Sequence, residues 1–114
     1  MKKSGRAVDT FSMSGALPAI PDLHDAVLER ITVDWSRKLV RIIVTAVPGG
    51  LVMISAKGFR AIDVPRREPW GASDFVNGVV VNELEDSGIS IVVEMQSGDR
   101  IELICDRFAV THPR

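Results

Sequence analysis

The sequence is poor in the residue types that build disulfide-rich, metal-dependent or base-stacking proteins. It contains a single cysteine, Cys105, so it can form neither an internal disulfide nor a cysteine-rich zinc site. It has no tyrosine, two tryptophans and four phenylalanines, which are too few aromatic rings to favour a platform for stacked bases. With only two histidines as further ligands, we expect no metal and no other cofactor.

The charge balance and the absence of long apolar runs argue against further classes. The formal net charge is −1, which disfavours a nucleic-acid binder because such proteins gain affinity by neutralising phosphates. No apolar run is long enough to span a bilayer. Polar residues also interrupt the stretch after Met1-Lys2-Lys3, where a signal peptide needs an apolar core. We therefore predict a cytoplasmic protein that does not bind membranes and whose lone thiol stays reduced.

The composition is that of a globular domain, with 46% apolar and 25% charged residues. The length of 114 residues is close to the commonest domain size. Residues 1–16 carry Ser, Gly and Lys without periodicity, which predicts a flexible N-terminal arm. Residues 17–114 are predicted to form a single β-rich domain.

Alternation of apolar and polar residues predicts a mainly β protein. We expect an antiparallel sheet, barrel or sandwich of about six to seven strands, with at most one short helix. In the first strand, Val27, Ile31 and Val33 are predicted to share one face and Leu28 to lie on the other. A helix over residues 22–31 fits the apolar spacing as well, but the β-branched residues that end this stretch favour the strand.

The middle of the chain predicts several further strands. Residues 39–47 are apolar on both faces, which is typical of an interior strand or of a self-association surface. Residues 65–73 contain prolines and glycine and are predicted to be irregular. The remaining predictions are strands over residues 51–56, 59–64 and 79–84 and a short turn over residues 74–77.

Residues 89–105 carry the clearest local pattern, that of a β-hairpin. A three-residue loop ending at Gly98 keeps the apolar residues on one face and pairs Val93 with Ile101. The same loop places Gly98 where a type I turn with a G1 bulge requires positive φ. Cys105 continues the apolar face and is therefore expected to be buried and unreactive.

The adjacent residues His24 and Asp25 are the first candidates for chemistry. A His-Asp pair can supply a metal ligand and a carboxylate, as in metal-dependent phosphohydrolases. Those enzymes need further His and Asp residues, and the second histidine here, His112, stands two residues from the end. We therefore favour the interpretation that the pair caps or orients the first strand through backbone hydrogen bonds. We assign no catalytic residue and predict that Trp70 and His24 do not belong to one metal site.

The irregular segment and its flanks hold the second group of candidates. These binding candidates are Arg66, Arg67, Trp70, Ser73 and Asn77. Tryptophan and arginine dominate the energetics of binding sites, and long loops are often functional. The alternative is that Trp70 plugs one end of the sheet while Ser73 caps the turn that follows.

Two further cations precede this segment. Lys57 and Arg60 form a basic group with Arg66 and Arg67 that could hold phosphate or an acidic partner. A solvated surface explains the same group equally well.

Three segments of the chain resemble a set of small bacterial proteins of uncharacterised function. The segments are Leu23-His24-Asp25-Ala26, Pro69-Trp70-Gly71-x-Ser73-x-x-Val76-Asn77 and Glu94-Met95-Gln96-Ser97-Gly98-Asp99. The last two resemble the signatures PWG-x-S-x-x-I-N and E-M-Q-S-G-D. The first is similar to the opening of some immunity proteins of contact-dependent toxin systems. The resemblance covers residues 23–106 and implies a bacterial cytosolic protein, but it implies no activity.

Two functional hypotheses follow from the sequence. The first is a protein-interaction or self-assembling module whose partner is another protein or a second copy, including a homodimer, and whose contact surface includes residues 66–77. The alternative is a small ligand-binding protein or hydrolase that uses His24, Asp25 and the Trp70 loop. We favour the first, because nothing in the chain assembles a nucleophile, a base and an orienting group.

Overall fold

The computed structural model describes residues 17–113 and shows eight β-strands in this range. The strands are β1 Val27–Asp34, β2 Leu39–Ala46, β3 Gly50–Lys57, β4 Ala61–Asp63, β5 Val76–Glu83, β6 Ile89–Met95, β7 Arg100–Cys105 and β8 Arg107–Thr111. Within this range no helix is long and apolar enough to cross a membrane. The predicted arm over residues 1–16 lies outside the described residues.

The strands form two antiparallel sheets of four strands each. Their orders are β1-β2-β3-β8 and β4-β7-β6-β5. Apolar side chains from both sheets fill one core, with Ile42, Ile54 and Phe108 from the first sheet and Ile91 and Leu103 from the second. The prediction of a mainly β, antiparallel fold is confirmed, with eight strands where about six to seven were expected, and the architecture is sandwich-like.

Strand β2 is an interior strand, as its apolar sequence predicted. It pairs with β1 on one side and β3 on the other. Its second face carries Leu39 and Ile43, which are half-buried. Val47 lies beyond the end of the strand and is 75% exposed.

Strand β1 forms as predicted, but the prediction of its faces is wrong. The register shifts between Leu28 and Arg30, so that Glu29 is an extra residue in a β-bulge. The bulge puts Leu28 on the same face as Ile31 and Val33, because these three residues pair with the core-facing residues of β2. A pattern with a period of two cannot reveal such an insertion.

The hairpin over residues 89–105 has the predicted register and loop. Val93 pairs with Ile101, and Glu94 pairs with Arg100. Gly98 has φ of 95°, and its N–H donates to the Met95 carbonyl. Cys105 is fully buried on the apolar face, and burial raises the pKa of its thiol to about 11.

Two predictions for the middle of the chain are wrong. Residues 74–77 form no turn, because Val76 begins β5 and Phe75 already makes a bridge to Val27 in β1. The strand predicted over residues 59–64 is reduced to Ala61–Asp63. The chain passes from one sheet to the other before this strand, and the Phe59 N–H donates to the Lys38 carbonyl instead of to a strand.

Candidate functional site

The loop of the β6–β7 hairpin is the point where the three sequence motifs meet. We call residues 96–99 the hairpin loop. Asp99 binds the backbone of Arg67 and Glu68, Ser97 binds the backbone of Trp70, and Gln96 binds Asp25. The segments around His24 and Trp70, about 45 residues apart in sequence, are therefore attached to the same loop.

Asp99 fixes the course of the irregular segment. Its carboxylate accepts hydrogen bonds from the Arg67 N–H at 2.8 Å, from the Glu68 N–H at 2.9 Å and from Ser97 Oγ at 2.8 Å. Burial raises the pKa of Asp99, but the hydrogen bonds from Ser97 and from the two backbone N–H groups together outweigh it and leave the pKa below its ordinary value. The carboxylate thus replaces the strand partners that this segment lacks.

Trp70 lies over the same loop while its indole stays accessible to solvent. Its backbone N–H donates to the Ser97 carbonyl at 2.9 Å. Its ring covers Gly98 so closely that a Cβ at that position would lie 2.7 Å from Trp70 Cε3. The residue is nevertheless 79% exposed, so Trp70 is a surface residue held on a rigid support.

Gln96 attaches the other motif to the same loop. Its side-chain amide donates to Asp25 Oδ1 at 2.6 Å and to the Val76 carbonyl at 3.3 Å. Asp25 has φ of 68°, and its N–H donates to the Val76 carbonyl as well. This arrangement joins the start of β1 to the start of β5, so Asp25 orients strand ends as the sequence interpretation proposed.

His24 lies between two hydrogen-bond acceptors. Its Nδ1 donates to the Asn77 carbonyl at 2.9 Å, and its Nε2 lies 3.5 Å from Asp25 Oδ1. A neutral imidazole carries one N–H, whereas the protonated ring can donate to both acceptors. The hydrogen bond to Asn77 and, after it, the charge of Asp25 therefore raise the pKa of His24 above its ordinary value of 6.5.

The remaining predicted site residues have different surroundings. Arg66 lies 3.3 Å from Glu68 and 3.6 Å from Asp74 in exposed ion pairs. Arg67 is exposed, and its guanidinium has no partner among the described residues.

The two polar candidates that end the segment act mainly through local or backbone contacts. Ser73 accepts a hydrogen bond from the Phe75 N–H at 3.1 Å, a local contact just before β5, where it was predicted to cap a turn. Asn77 contributes its carbonyl to His24. It is also the extra residue of a bulge in β5, where the register shifts between Val76 and Gly78.

The predicted basic group is not one surface. Arg60 donates to Asp106 and Asp86 at the far end of the hairpin. Lys57 ends β3 in the first sheet. Arg66 and Arg67 belong to the segment held by the hairpin loop, so the four cations cannot bind one phosphate together.

The geometry around His24 does not complete a hydrolytic site. The contacts of its ring are one carbonyl and one carboxylate, and no hydroxyl or thiol hydrogen-bonds to it in the part of the chain that the structure describes. In residues 17–113 no three side chains of the His, Cys, Asp or Glu type converge to hold a metal ion. The hydrolase alternative therefore stays a hypothesis without a nucleophile.

Sequence reasoning did not identify the hairpin loop itself as part of the site. The register prediction placed residues 96–98 at the tip of the hairpin, but it gave no reason to expect long-range partners for Gln96 or Asp99. The signal that the sequence did contain was the chemical type of these two side chains. Amide and carboxylate side chains next to a tight turn are suited to binding free backbone groups of another segment.

The chain matches no protein-family model and no curated protein sequence.

Proposed function

We propose that this protein acts by binding another protein through the surface around Trp70, which we call the Trp70 surface and define as Arg66, Arg67, Trp70, His24 and Asp25. The observation that carries the proposal is that Trp70 is 79% exposed although its backbone is anchored. A tryptophan that served only to plug the sheet would be buried, because its stabilising effect depends on the apolar area removed from water.

The surroundings of Trp70 suit a protein partner. Arg67 presents a guanidinium that no described residue neutralises, and Phe75, whose carbonyl accepts from the Gln96 N–H, is 46% exposed. Tryptophan and arginine are the residues enriched among those that dominate binding energy. The partner that fits this surface offers an apolar pocket for the indole and an acidic group beside it.

The hairpin loop reduces the cost of binding. The hydrogen bonds from the Arg67 and Glu68 N–H groups to Asp99, and the one from the Trp70 N–H to the Ser97 carbonyl, hold the Trp70 segment before any partner arrives. A surface that is ordered beforehand loses less conformational entropy on association. The same hydrogen bonds explain why this irregular segment has a defined backbone conformation.

Trp35 provides a matched control for an experiment, because it is 81% exposed and belongs to the turn between β1 and β2. We would place a photo-crosslinking amino acid at position 70 or at position 35 and compare the products in bacterial cells. A discrete heterologous adduct from position 70, absent from position 35, is expected. Equal or unspecific adducts from both positions would contradict the proposal.

The identified partner then allows a quantitative test with purified variants. Trp70→Ala should weaken binding by about 2 kcal/mol or more, roughly thirtyfold, while the free energy of unfolding changes by less than about 1 kcal/mol. Trp35→Ala should leave the affinity unchanged. An unfolded Trp70→Ala variant would assign the residue to structure. Sedimentation velocity separates the self-assembly alternative, which requires a Trp70-dependent dimer of the protein alone.

A further inference from the structure

A cleft at the end of the molecule opposite the Trp70 surface has the features of a small-ligand site. It has a volume of about 300 Å³, at the lower end of ligand pockets. Its lining residues are Trp35, Lys38, Gly58, Phe59, Arg60 and Asp106. They come from three places that are distant in sequence: the β1–β2 turn, the passage from β3 to β4, and the junction of β7 and β8.

Two aromatic rings form one corner of this cleft. The rings of Trp35 and Phe59 have centroids 5.8 Å apart and an interplanar angle of 70°, which is the edge-to-face geometry that aromatic pairs prefer. Phe59 supports the indole through its edge contact, while Trp35 is 81% exposed. An exposed indole beside a cleft offers a flat surface on which a planar ring can stack.

The backbone holds this corner in place. The Lys38 carbonyl accepts the Gly58 N–H at 2.8 Å and the Phe59 N–H at 3.1 Å, which joins the turn that bears Trp35 to the segment that bears Phe59. Asp106 lies against Gly58 so closely that a side chain at position 58 would collide with its carboxylate. The cleft is therefore formed by the fold itself before any ligand is present.

The two cations that line the cleft differ in whether neighbouring carboxylates already pair with them. Arg60 donates to Asp106 Oδ1 from two nitrogens at 3.0 and 2.7 Å, and to Asp86 Oδ2 at 2.8 Å. These two carboxylates more than neutralise the charge of its guanidinium, so Arg60 is not left to attract an anion. The Lys38 ammonium has no partner among the residues described. Lys38 is thus the lining cation that is left to attract an anion.

We propose that this cleft binds a small planar anion, an aromatic or heteroaromatic ring that bears one carboxylate or phosphate group. The ring stacks on Trp35 beside Phe59, and the anionic group lies at Lys38. The Arg60–Asp106 pair forms a polar wall without an unpaired positive charge. The cleft shares no residue with the Trp70 surface, so this inference is independent of the proposed function.

The test uses Trp35 as the only fluorophore. The chain has two tryptophans, so the full-length Trp70→Phe variant reports on the cleft alone. We would follow Trp35 fluorescence with adenosine monophosphate, corrected for absorption, and follow the backbone amides of Gly58 and Phe59 by NMR with both adenosine monophosphate and indole-3-carboxylate. At least one of the two anions should give a saturable change at both amides, and neutral adenosine or indole should bind more weakly.

Two variants and one control separate the contribution of the Lys38 charge from that of the Trp35 ring. Lys38→Gln should weaken binding of the anion about three- to fivefold, which corresponds to the free energy of an exposed ion pair. The affinity for the neutral ring should not change. Trp35→Ala should weaken both about tenfold or more. Arg37→Gln removes a neighbouring charge outside the cleft and should have a smaller effect than Lys38→Gln. Inorganic phosphate alone should not saturate the site.

Three outcomes would overturn the proposal. The first is that neither anion produces a saturable change. The second is that charged and neutral rings bind with the same affinity. The third is that tetramethylammonium binds more tightly than either anion, because this would show that the aromatic corner recognises cations.

Discussion

His24 shows how two neighbouring acceptors can tune one exposed side chain. The Asn77 carbonyl and the Asp25 carboxylate both favour the protonated ring, and Asp22 adds a smaller effect of the same sign. We predict a pKa for His24 above 6.5 in the folded protein, measured from its imidazole NMR signals. Asp25→Asn should lower this pKa, because it removes the second largest favourable interaction. A pKa at or below 6.5 would contradict the geometry.

The same shift has a defined consequence for stability. A folded-state pKa above the unfolded value means that the folded protein binds the proton more tightly. The contribution of His24 is therefore fully present below the unfolded pKa and disappears as the pH rises through the folded pKa. In urea unfolding, the difference between wild type and His24→Gln should shrink over that interval. The ring is exposed, so the difference is small at every pH.

At the scale of elements, the hairpin and the bulged strands mark the limits of prediction from sequence. The hairpin over β6 and β7 is predictable because its alternation is unbroken and its loop contains a glycine at the position that requires positive φ. Strands β1 and β5 each contain an extra residue, Glu29 and Asn77. One inserted residue moves every later side chain of the strand to the opposite face of the sheet. Periodicity alone therefore assigns the faces of β1 wrongly.

The candidate site also has a part that the sequence predicts and a part that it does not. The sequence identified Trp70, Arg67 and His24 as candidates, because the chemistry of these side chains suggests a functional role wherever they lie in the fold. Their attachment to one loop depends on Gln96 and Asp99, whose partners are 31 to 71 residues away. No local pattern encodes such partners. The cleft at Trp35 was missed for this reason too, since its walls come from three separate segments.

Asp99 offers a direct test of how the irregular segment is held. In Asp99→Asn one carboxylate oxygen becomes an amide group that cannot accept a hydrogen bond, and the charge that strengthens the remaining bonds is lost. We predict that the amide hydrogens of Arg67 and Glu68 exchange about tenfold faster or more. The cross-strand exchange protection of Val93 and Ile101 should be unchanged. Native-state hydrogen exchange measures both in one experiment.

Asp74→Asn is the matched control for that variant. Its carboxylate makes an exposed ion pair with Arg66 at 3.6 Å and has no backbone amide as a partner among the described residues. Exposed pairs contribute little to stability, so exchange at Arg67 and Glu68 should stay at the wild-type rate. If both variants accelerate exchange equally, general loss of negative charge and not the anchoring by Asp99 explains the effect.

At the scale of the whole molecule, the sandwich carries one exposed tryptophan near each end of the β6–β7 hairpin. The hairpin loop supports Trp70, and the opposite end of β7 leads through Asp106 into the cleft of Trp35. Strand β7 spans six residues, which at about 3.3 Å per residue separates the two regions by about 20 Å. The core between them is filled by apolar residues from both sheets.

This separation predicts that the two tryptophans contribute independently to stability. Substitutions more than about 7–10 Å apart without shared partners add to within about 0.5 kcal/mol. The unfolding free energy of Trp35→Ala/Trp70→Ala should therefore differ from wild type by the sum of the two single changes, as measured by urea denaturation with a constant m-value. An excess above 1 kcal/mol would show coupling through the core. The same independence should extend to binding: Lys38→Gln should leave the partner of the Trp70 surface bound, and Trp70→Phe should leave the cleft able to take its anion.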